Sequence, residues 1–154
     1  MTPQQKQFLQ AAAAEATKSG HIFPEMAACE AALESGYGSS ELATRDFNLF
    51  GTKQHRHPIY LTHNLPTREF EGGKWEVVDA AWIHYPDWAS CFADRMSTLN
   101  RLAPAFPHYA AALGAASAEI YVMEVSRTWA TDPKRGAKVL AIYDECAGDW
   151  NVTA

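Results

Sequence analysis

The sequence has few cysteines, and none of them lies close to another along the chain. Its three cysteines, Cys29, Cys91 and Cys146, are spread over 154 residues without a C-x-x-C pair. This number and spacing exclude a disulfide framework, leave room for one disulfide at most, and argue against a zinc or redox centre. The six histidines are scattered as well. We therefore expect a protein that uses no metal and no cofactor.

The sequence also lacks a long apolar run and an excess of basic residues. No stretch approaches the ~20 apolar residues of a membrane span, and the formal net charge is −5. Because nucleic-acid binding needs a basic face, nucleic acid is not an expected partner. The same negative charge provides no long-range attraction to an anionic surface.

The first residues, 1–6, do not resemble a secretion signal. They lack the charged region, the apolar run and the cleavage site of such a signal. We therefore expect a protein that acts where it is made, one that another system exports, or an excised domain. The sequence does not decide among these settings.

The composition is that of an ordinary globular protein with many aromatic side chains. Apolar residues make up 47% of the chain and charged residues 20%, and this length suits one domain with a real core. The predicted fold class is α+β and predominantly helical: one domain over 1–154 with a small β-hairpin lobe at about 55–85. We expect a monomer.

Capping residues and glycine or proline stops indicate where the helices begin and end. The predicted helices run from Pro3 to Gly20, from Pro24 to Gly36, from Ser39 or Ser40 through Leu42, from Asp87 to Pro104, over 108–113, over 117–127, and from an N-cap at Asp132 to Gly148. The helix after Asp87 is interpreted as the central core helix. In the 117–127 helix, Ile120 and Met123 are expected to face inward, together with Tyr121.

Two adjacent glycines predict the turn of the β-hairpin. With Gly72-Gly73 as the turn, the facing pairs are Glu71 with Lys74, Phe70 with Trp75, and Glu69 with Glu76. The last pair sets like charges opposite each other. Such a pair is tolerated where water solvates both side chains. The same arrangement can also perturb the ionisation of a functional carboxylate.

The rest of the chain is organised around the segment 31–40. An apolar helical run ends there in Glu34, and Gly36 and Gly38 follow directly. The carbonyl end of a helix carries partial negative charge, which favours the neutral form of a nearby carboxyl. Glu30 lies one turn earlier on the same face, and repulsion between the two acids also favours the neutral form of one of them. A general acid needs that form, although a solvated surface glutamate would give the same pattern.

Four segments occur in a characteristic order. They are Ala31-Ala32-Leu33-Glu34-Ser35-Gly36-Tyr37-Gly38, Asn48-Leu49-Phe50-Gly51-Thr52-Lys53, Thr67-Arg68-Glu69 and Ala130-Thr131-Asp132-Pro133. In this order they resemble the glucosaminidase domain of glycoside hydrolase family 73, which includes flagellar-rod and cell-separation peptidoglycan hydrolases. The resemblance covers nearly the whole chain.

The resemblance implies a lysozyme-like fold and an enzyme that hydrolyses the β-1,4 bond after N-acetylglucosamine. The implied partner is the glycan strand of bacterial peptidoglycan. By position, Glu34 is the general acid, and Glu69 on the β lobe is the second carboxylate. Asn48 and Phe50 match positions that line the sugar cleft.

The chain departs from the family pattern just before the last segment. The family usually has a tyrosine there, whose phenol is placed beside the N-acetyl group, whereas this chain has Trp129. An indole stacks and donates one N–H but cannot act as a phenol. Tyr121 or Tyr37 is expected to supply the phenol if one is needed. Thr131 and Asp132 are expected at the substrate side of the loop, chiefly to hold its shape.

Three other activities stay open on the sequence. A lytic transglycosylase or a muramidase would use the same fold, and a non-catalytic peptidoglycan-binding domain would keep the cleft without the chemistry. For hydrolysis we expect inversion or assistance by the acetamido group, because a carboxylate on a hairpin lobe should lie far from Glu34.

Overall fold

The computed structural model of the chain describes residues 1–55 and 60–150. Residues 56–59 of the predicted β region lie outside this description. The described elements are α1 (Pro3–Lys18), α2 (Pro24–Ser35), α3 (Glu41–Asp46), β1 (Leu61–Glu71), β2 (Lys74–His84), α4 (Trp88–Leu102), α5 (Pro107–Leu113), α6 (Ala118–Trp129) and α7 (Arg135–Glu145). The fold is mostly helical with one small antiparallel sheet, so the predicted fold class is confirmed.

Helix α2, and not α4, is the most enclosed helix of the domain. It contacts α1, α6 and α7, whereas the main contacts of α4 are with α1 and α5. The buried residues of α2 are Met26, Ala27, Ala28, Cys29, Glu30, Ala31, Ala32 and Ser35. Because most of these side chains are small, neighbouring helices approach α2 from several sides. The larger side chains of α4 form a clear stripe in the sequence, which made that helix look central.

Helix α2 ends where the segment 31–40 predicts. Gly36 adopts the left-handed conformation (φ 58°) and its N–H returns to the carbonyl of Ala32, which closes the helix. Gly38 is also left-handed, and a Cβ there would lie 2.8 Å from the ring of Phe8 on α1. A side chain at this position would therefore push the loop away from α1. The two glycines fix the path of the chain directly after Glu34.

The hairpin has the predicted register. Glu71 faces Lys74, Phe70 faces Trp75, and Glu69 faces Glu76. Both turn glycines have positive φ, which suits a two-residue hairpin turn. The outer part of the hairpin is exposed, including large apolar side chains at Phe70, Trp75 and Val77.

The base of the hairpin is tied to the helical body at two places. The segment 52–54 lies beside β2, with hydrogen bonds from Ile83 N to Thr52 O and from Gln54 N to Ala81 O. At the end of α3, buried Asp46 places Oδ1 3.1 Å from Nδ1 of His63 and 2.9 Å from Nδ1 of His84. One carboxylate thus contacts both strands.

The last two helices differ in detail from their prediction. Ile120 and Met123 are 49% and 46% exposed, because the buried stripe of α6 runs instead through Tyr121, Val122 and Val125. Helix α7 begins at Arg135 rather than directly after Asp132. The carboxylate of Asp132 accepts the N–H of Lys134, so it caps a turn that precedes the helix.

The three cysteines are free and buried. Within the described ranges, no helix is both long and apolar enough to cross a bilayer.

Candidate active site

A cleft of about 520 Å³ lies between the helical body and the base of the hairpin. Its described lining is formed by Glu34, Phe50, Gly51, Thr52, Lys53, His55, Trp82, Thr98, Arg101, Leu102, Tyr109, Trp129 and Ala130. Among these described residues, Glu34 is the one carboxylate. Lys53 and Arg101 bring positive charge to the cleft of a chain whose net charge is negative.

Glu34 is placed by the end of α2. It lies in the last turn of that helix, next to Ser35, with its side chain 25% exposed to the cleft. Its Oε1 accepts a hydrogen bond from Nε of Arg135 at 2.7 Å. The carboxyl is therefore half-buried, reachable from the cleft and held from behind by a cation of α7.

Arg135 uses all three of its nitrogens to bridge three side chains. Nε donates to Glu34, Nη1 donates to Ser126 Oγ at 2.8 Å, and Nη2 donates to Glu30 Oε2 at 2.8 Å. The residue is only 2% exposed. Its neighbours Glu30 and Glu34 outweigh burial and raise the pKa of Arg135, so the guanidinium stays charged. Because a guanidinium is planar, these three bonds fix its orientation.

Glu30 is fully buried behind Glu34 and faces two cations. Its Oε2 also accepts from Nη2 of Arg95 at 2.6 Å. Burial alone would raise the pKa of Glu30, but attraction to Arg95 and Arg135 outweighs it and lowers the pKa below its ordinary value. The sequence predicted mutual repulsion of the two glutamates on this face. That interpretation omitted two cations: Arg135 of α7, which binds both carboxylates, and Arg95 of α4, which binds Glu30.

Aromatic side chains form the wall beside this cluster. The guanidinium carbon of Arg95 lies 3.7 Å from the ring centre of Trp129 and 4.4 Å from that of Phe50. Nε and Nη1 of Arg95 have no hydrogen-bond partner among the described residues, as expected for a cation that packs on aromatic faces. The ring centre of Tyr109 lies 6.3 Å from that of Trp129. Phe50, Trp129 and Tyr109 all line the cleft.

The second predicted carboxylate, Glu69, is not part of the described cleft lining. It is 43% exposed on β1, and its Oε1 lies 2.7 Å from Nζ of Lys53, which does line the cleft. Its cross-strand neighbour Glu76 pairs with Lys74 at 3.3 Å. Each of the two facing carboxylates, Glu69 and Glu76, is therefore paired with a different lysine.

Three predicted substrate-binding residues lie elsewhere. Asn48 is 1% exposed, and its side chain makes hydrogen bonds with the backbone of Thr52 and Ile83. It therefore holds the loop against β2 and does not face the cleft. Tyr121 is completely buried, with its hydroxyl 3.4 Å from Nε2 of His21. Tyr37 packs edge-on against Phe8, away from the described lining. The tyrosine that lines the cleft is Tyr109.

Thr131 and Asp132 line a neighbouring cavity of about 460 Å³ on the other side of Ala130. Asp132 pairs with Lys138 at 2.6 Å and caps Lys134. These contacts of Asp132 hold the turn that follows Trp129; the role expected for Thr131 stays a prediction. In the part of the chain described here, no three histidine, cysteine, aspartate or glutamate side chains group together to hold a metal ion.

Sequence reasoning missed Arg95, Arg135 and Tyr109. A signal existed for the two arginines, since Arg95 lies three residues after Phe92 on the buried stripe of α4, and Arg135 lies four before Val139 on that of α7. A charge on an apolar stripe indicates a buried ion pair. No comparable signal marks Tyr109, whose short helix reaches the cleft only through packing on α4 and α6.

Comparison with known proteins places this chain in a family. The sequence model of the Glucosaminidase family, described as mannosyl-glycoprotein endo-beta-N-acetylglucosaminidase, matches residues 10–147. The chain is 30% identical over 148 residues to a probable N-acetylmuramidase of Lactococcus lactis subsp. lactis. This alignment covers 90% of the chain but 33% of the relative, so the chain spans about a third of that protein's length.

Solved structures show the same fold. The catalytic domain of the autolysin Auto from Listeria monocytogenes superposes with a TM-score of 0.80 at 23% identity, covering 94% of this chain and 85% of that domain. A truncated glycoside hydrolase domain of FlgJ from Salmonella typhimurium gives a TM-score of 0.72 at 26% identity, covering 93% and 97%.

Proposed function

Because the chain belongs to the glucosaminidase family, glycoside hydrolase family 73, we propose that it hydrolyses bacterial peptidoglycan at the β-1,4 bond after N-acetylglucosamine. One observation carries this proposal. Glu34, at the C-terminal end of α2, is the one carboxylate in the described lining of the cleft, and a buried arginine holds it there.

Glu34 acts as the general acid in this proposal. Its proton passes to the glycosidic oxygen as the bond from that oxygen to the anomeric carbon breaks. A water molecule then adds to the oxocarbenium-like carbon, and Glu69, as the general base of this proposal, takes up its proton. The position supports the acid role, since Glu34 is half-buried at the end of α2, held from behind by Arg135 and open to the cleft on its other side.

Glu69 is the second carboxylate of the proposal, and the hairpin carries it. Its partner Lys53 lines the cleft, which brings the Glu69 side chain close to the edge of the site. The absence of a second carboxylate from the described lining supports inversion or assistance by the acetamido group rather than a covalent intermediate, which needs two carboxyls about 5–5.5 Å apart.

The remaining cleft residues bind the sugar. Phe50, Trp129 and Tyr109 present aromatic surface, and Trp82 adds a fourth ring beside Lys53. Flat apolar rings with a few polar groups are the usual lining of a ligand cleft. Tyr109, next to Trp129, is the tyrosine best placed to supply a phenol. In this proposal Tyr121 and Tyr37 have no contact with substrate.

The place of action is the bacterial cell wall, where the glycan strand is found. We propose that the chain acts there as a monomer and without nucleic acid. A phage endolysin, an enzyme delivered by a secretion system and a catalytic domain of a longer protein all fit this function.

Purified peptidoglycan tests the proposal. Wild type should reduce its turbidity and Glu34→Gln should not, and mass spectrometry of the products should find N-acetylglucosamine at the new reducing ends. Reducing ends of N-acetylmuramic acid would make the chain a muramidase, and anhydro-muramic ends would make it a lytic transglycosylase. Binding without clearing by wild type would leave a peptidoglycan-binding domain.

A further inference from the structure

The buried carboxylate of Glu30 is not explained by sugar binding or by proton donation. It is 0% exposed, lies outside the cleft lining, and accepts from both Arg95 and Arg135. Burying one carboxylate and two guanidinium groups carries a large desolvation cost. An apolar cluster of the same volume would form a core equally well, so the ions point to a role beyond packing.

The geometry connects Glu30 to Glu34 through one side chain. Arg135 donates from Nη2 to Glu30 and from Nε to Glu34, so the two carboxylates share one planar cation. Ser126 accepts from Nη1 and completes the set. Any change in the charge at Glu30 is therefore felt at Glu34 through Arg135, and any change in its position turns the guanidinium that holds Glu34.

A charge count shows what Glu30 contributes. The cations of Arg95 and Arg135 and the anion of Glu30 together carry +1, and an ionised Glu34 brings the cluster to zero. Without the charge of Glu30, the same two cations would carry +2 behind Glu34. This larger positive charge would hold Glu34 in its ionised form, which cannot donate a proton.

We propose that Glu30 is a positioning residue for the general acid: it holds Arg135 and offsets its charge, so that Glu34 stays in place and still takes up a proton. This inference rests on the proposed role of Glu34. Arg95 holds Glu30 from the other side as a second cation, so that the four charges sum to zero when Glu34 is ionised.

Other charged or titratable groups face Glu34 from the remaining elements. Lys53 and His55 come from the loop beside β2, Arg101 from α4, and Tyr109 from α5. All four line the cleft, although Nε2 of His55 is 2.8 Å from Oδ2 of Asp94 and Tyr109 is only 4% exposed. Among the described residues, Glu30 is the anion that shares a cation with Glu34, and it is fully buried.

Trp129 contacts this charge cluster. Its ring packs on the guanidinium of Arg95 at 3.7 Å, which closes the cluster on the cleft side and keeps Arg95 against Glu30. An indole binds a cation more strongly than a phenol does. The tryptophan that stands where the family usually has a tyrosine therefore supports the charge cluster from the cleft wall.

The test compares the pH dependence of kcat among three variants. Glu30→Gln keeps an oxygen for Arg135 but removes the negative charge, Arg95→Gln removes one positive charge, and the double variant restores the net charge of wild type. Hydrolysis of soluble, uncross-linked glycan strands is followed by new reducing ends, and thermal unfolding is measured on each variant.

The alkaline limb of the profile, where the general acid loses its proton, reports the effect. We expect Glu30→Gln to shift the alkaline limb to lower pH by about one unit. At neutral pH kcat should therefore fall about tenfold, with KM within about twofold of wild type. Arg95→Gln should move the limb upward, and the double variant should return it toward wild type.

A purely structural role for Glu30 would reduce thermal stability and leave the limb in place. A folded single variant whose limb stays at the wild-type pH overturns the proposal. Because Glu30→Gln leaves two buried cations with less compensation, Arg95→Gln decides the question if the first variant does not fold. Activity that survives Glu34→Gln would refute the proposed function itself, whereas an inactive Glu34→Gln with unmoved limbs would refute only the inference about Glu30.

Discussion

Two carboxylate ion pairs at the cleft have the same length and opposite surroundings. Glu34 lies 2.7 Å from Arg135, which is 2% exposed, and Glu69 lies 2.7 Å from Lys53, where both side chains are about half exposed. The first pair is part of a buried network of four charges, whereas the second stands in water on the hairpin. Distance alone therefore does not indicate what an ion pair contributes.

The difference lies in solvation. An exposed pair contributes about 0–1 kcal/mol, because water and salt screen it and two long side chains lose freedom. In a buried network, each charge has already lost its water, so removing one partner leaves another charge unpaired at a cost of about 3–5 kcal/mol. Glu34 is therefore held by a buried network within the helical body, whereas the exposed pair of Glu69 and Lys53 costs little to break.

The largest expected effect follows from removing Arg135, the cation that binds Glu34. Arg135→Met should lower the free energy of unfolding by about 3–5 kcal/mol and abolish peptidoglycan hydrolysis, since Glu30 and Glu34 lose their shared partner. The matched control is Lys53→Met, which should cost at most about 1 kcal/mol. Urea denaturation of both variants measures the difference, and equal losses would contradict the contrast between the two pairs.

The second effect is a dependence of stability on pH that arises in the helical body. Burial of His21 lowers its pKa from 6.5 to about 4. The unfolded chain therefore binds a proton that the folded chain does not between pH 6.5 and about 4. Stability from this group is complete above pH 6.5 and falls as the pH drops through that range, by about 3 kcal/mol.

Urea denaturation between pH 7 and pH 4 checks this effect. His21→Gln keeps an acceptor for the N–H of Phe23, which bonds Nδ1 in wild type, but it does not titrate. The free energy of unfolding of this variant should change little over this pH range. Glu30, whose pKa is lowered, should add a further loss only below about pH 4.3 in both proteins. An equal slope in the two proteins would exclude His21 as the cause.

The smallest effect on stability, and a clear one on activity, is expected on the hairpin. Glu69→Gln should reduce the rate of hydrolysis at least about tenfold, as loss of a catalytic carboxylate requires, and change the free energy of unfolding by less than about 0.5 kcal/mol. Glu76→Gln, on the facing strand, is the matched control and should leave the rate unchanged. Equal rates for both variants and wild type would remove Glu69 from the mechanism.

Local chemistry made much of this molecule predictable. The end of α2 follows from Gly36, and the hairpin register follows from two glycines that accept positive φ. The family segments then supplied the fold and the role proposed for Glu34. Errors occurred where a short-range pattern had to stand for packing, as with Ile120 and Met123, which fit an apolar stripe but lie beside the one that α6 buries.

The sequence by itself determined the helix whose last turn holds Glu34, the hairpin that carries Glu69 and the family that joins them, because these depend on neighbours along the chain. Only the tertiary structure decided that Arg135, 101 residues from Glu34, holds it, and that Arg95 from α4 meets Glu30 and Trp129. Partners of a buried charge are chosen by which helices pack together. No local pattern contains that information, since the desolvation that makes each pairing necessary arises only when the helices have come together.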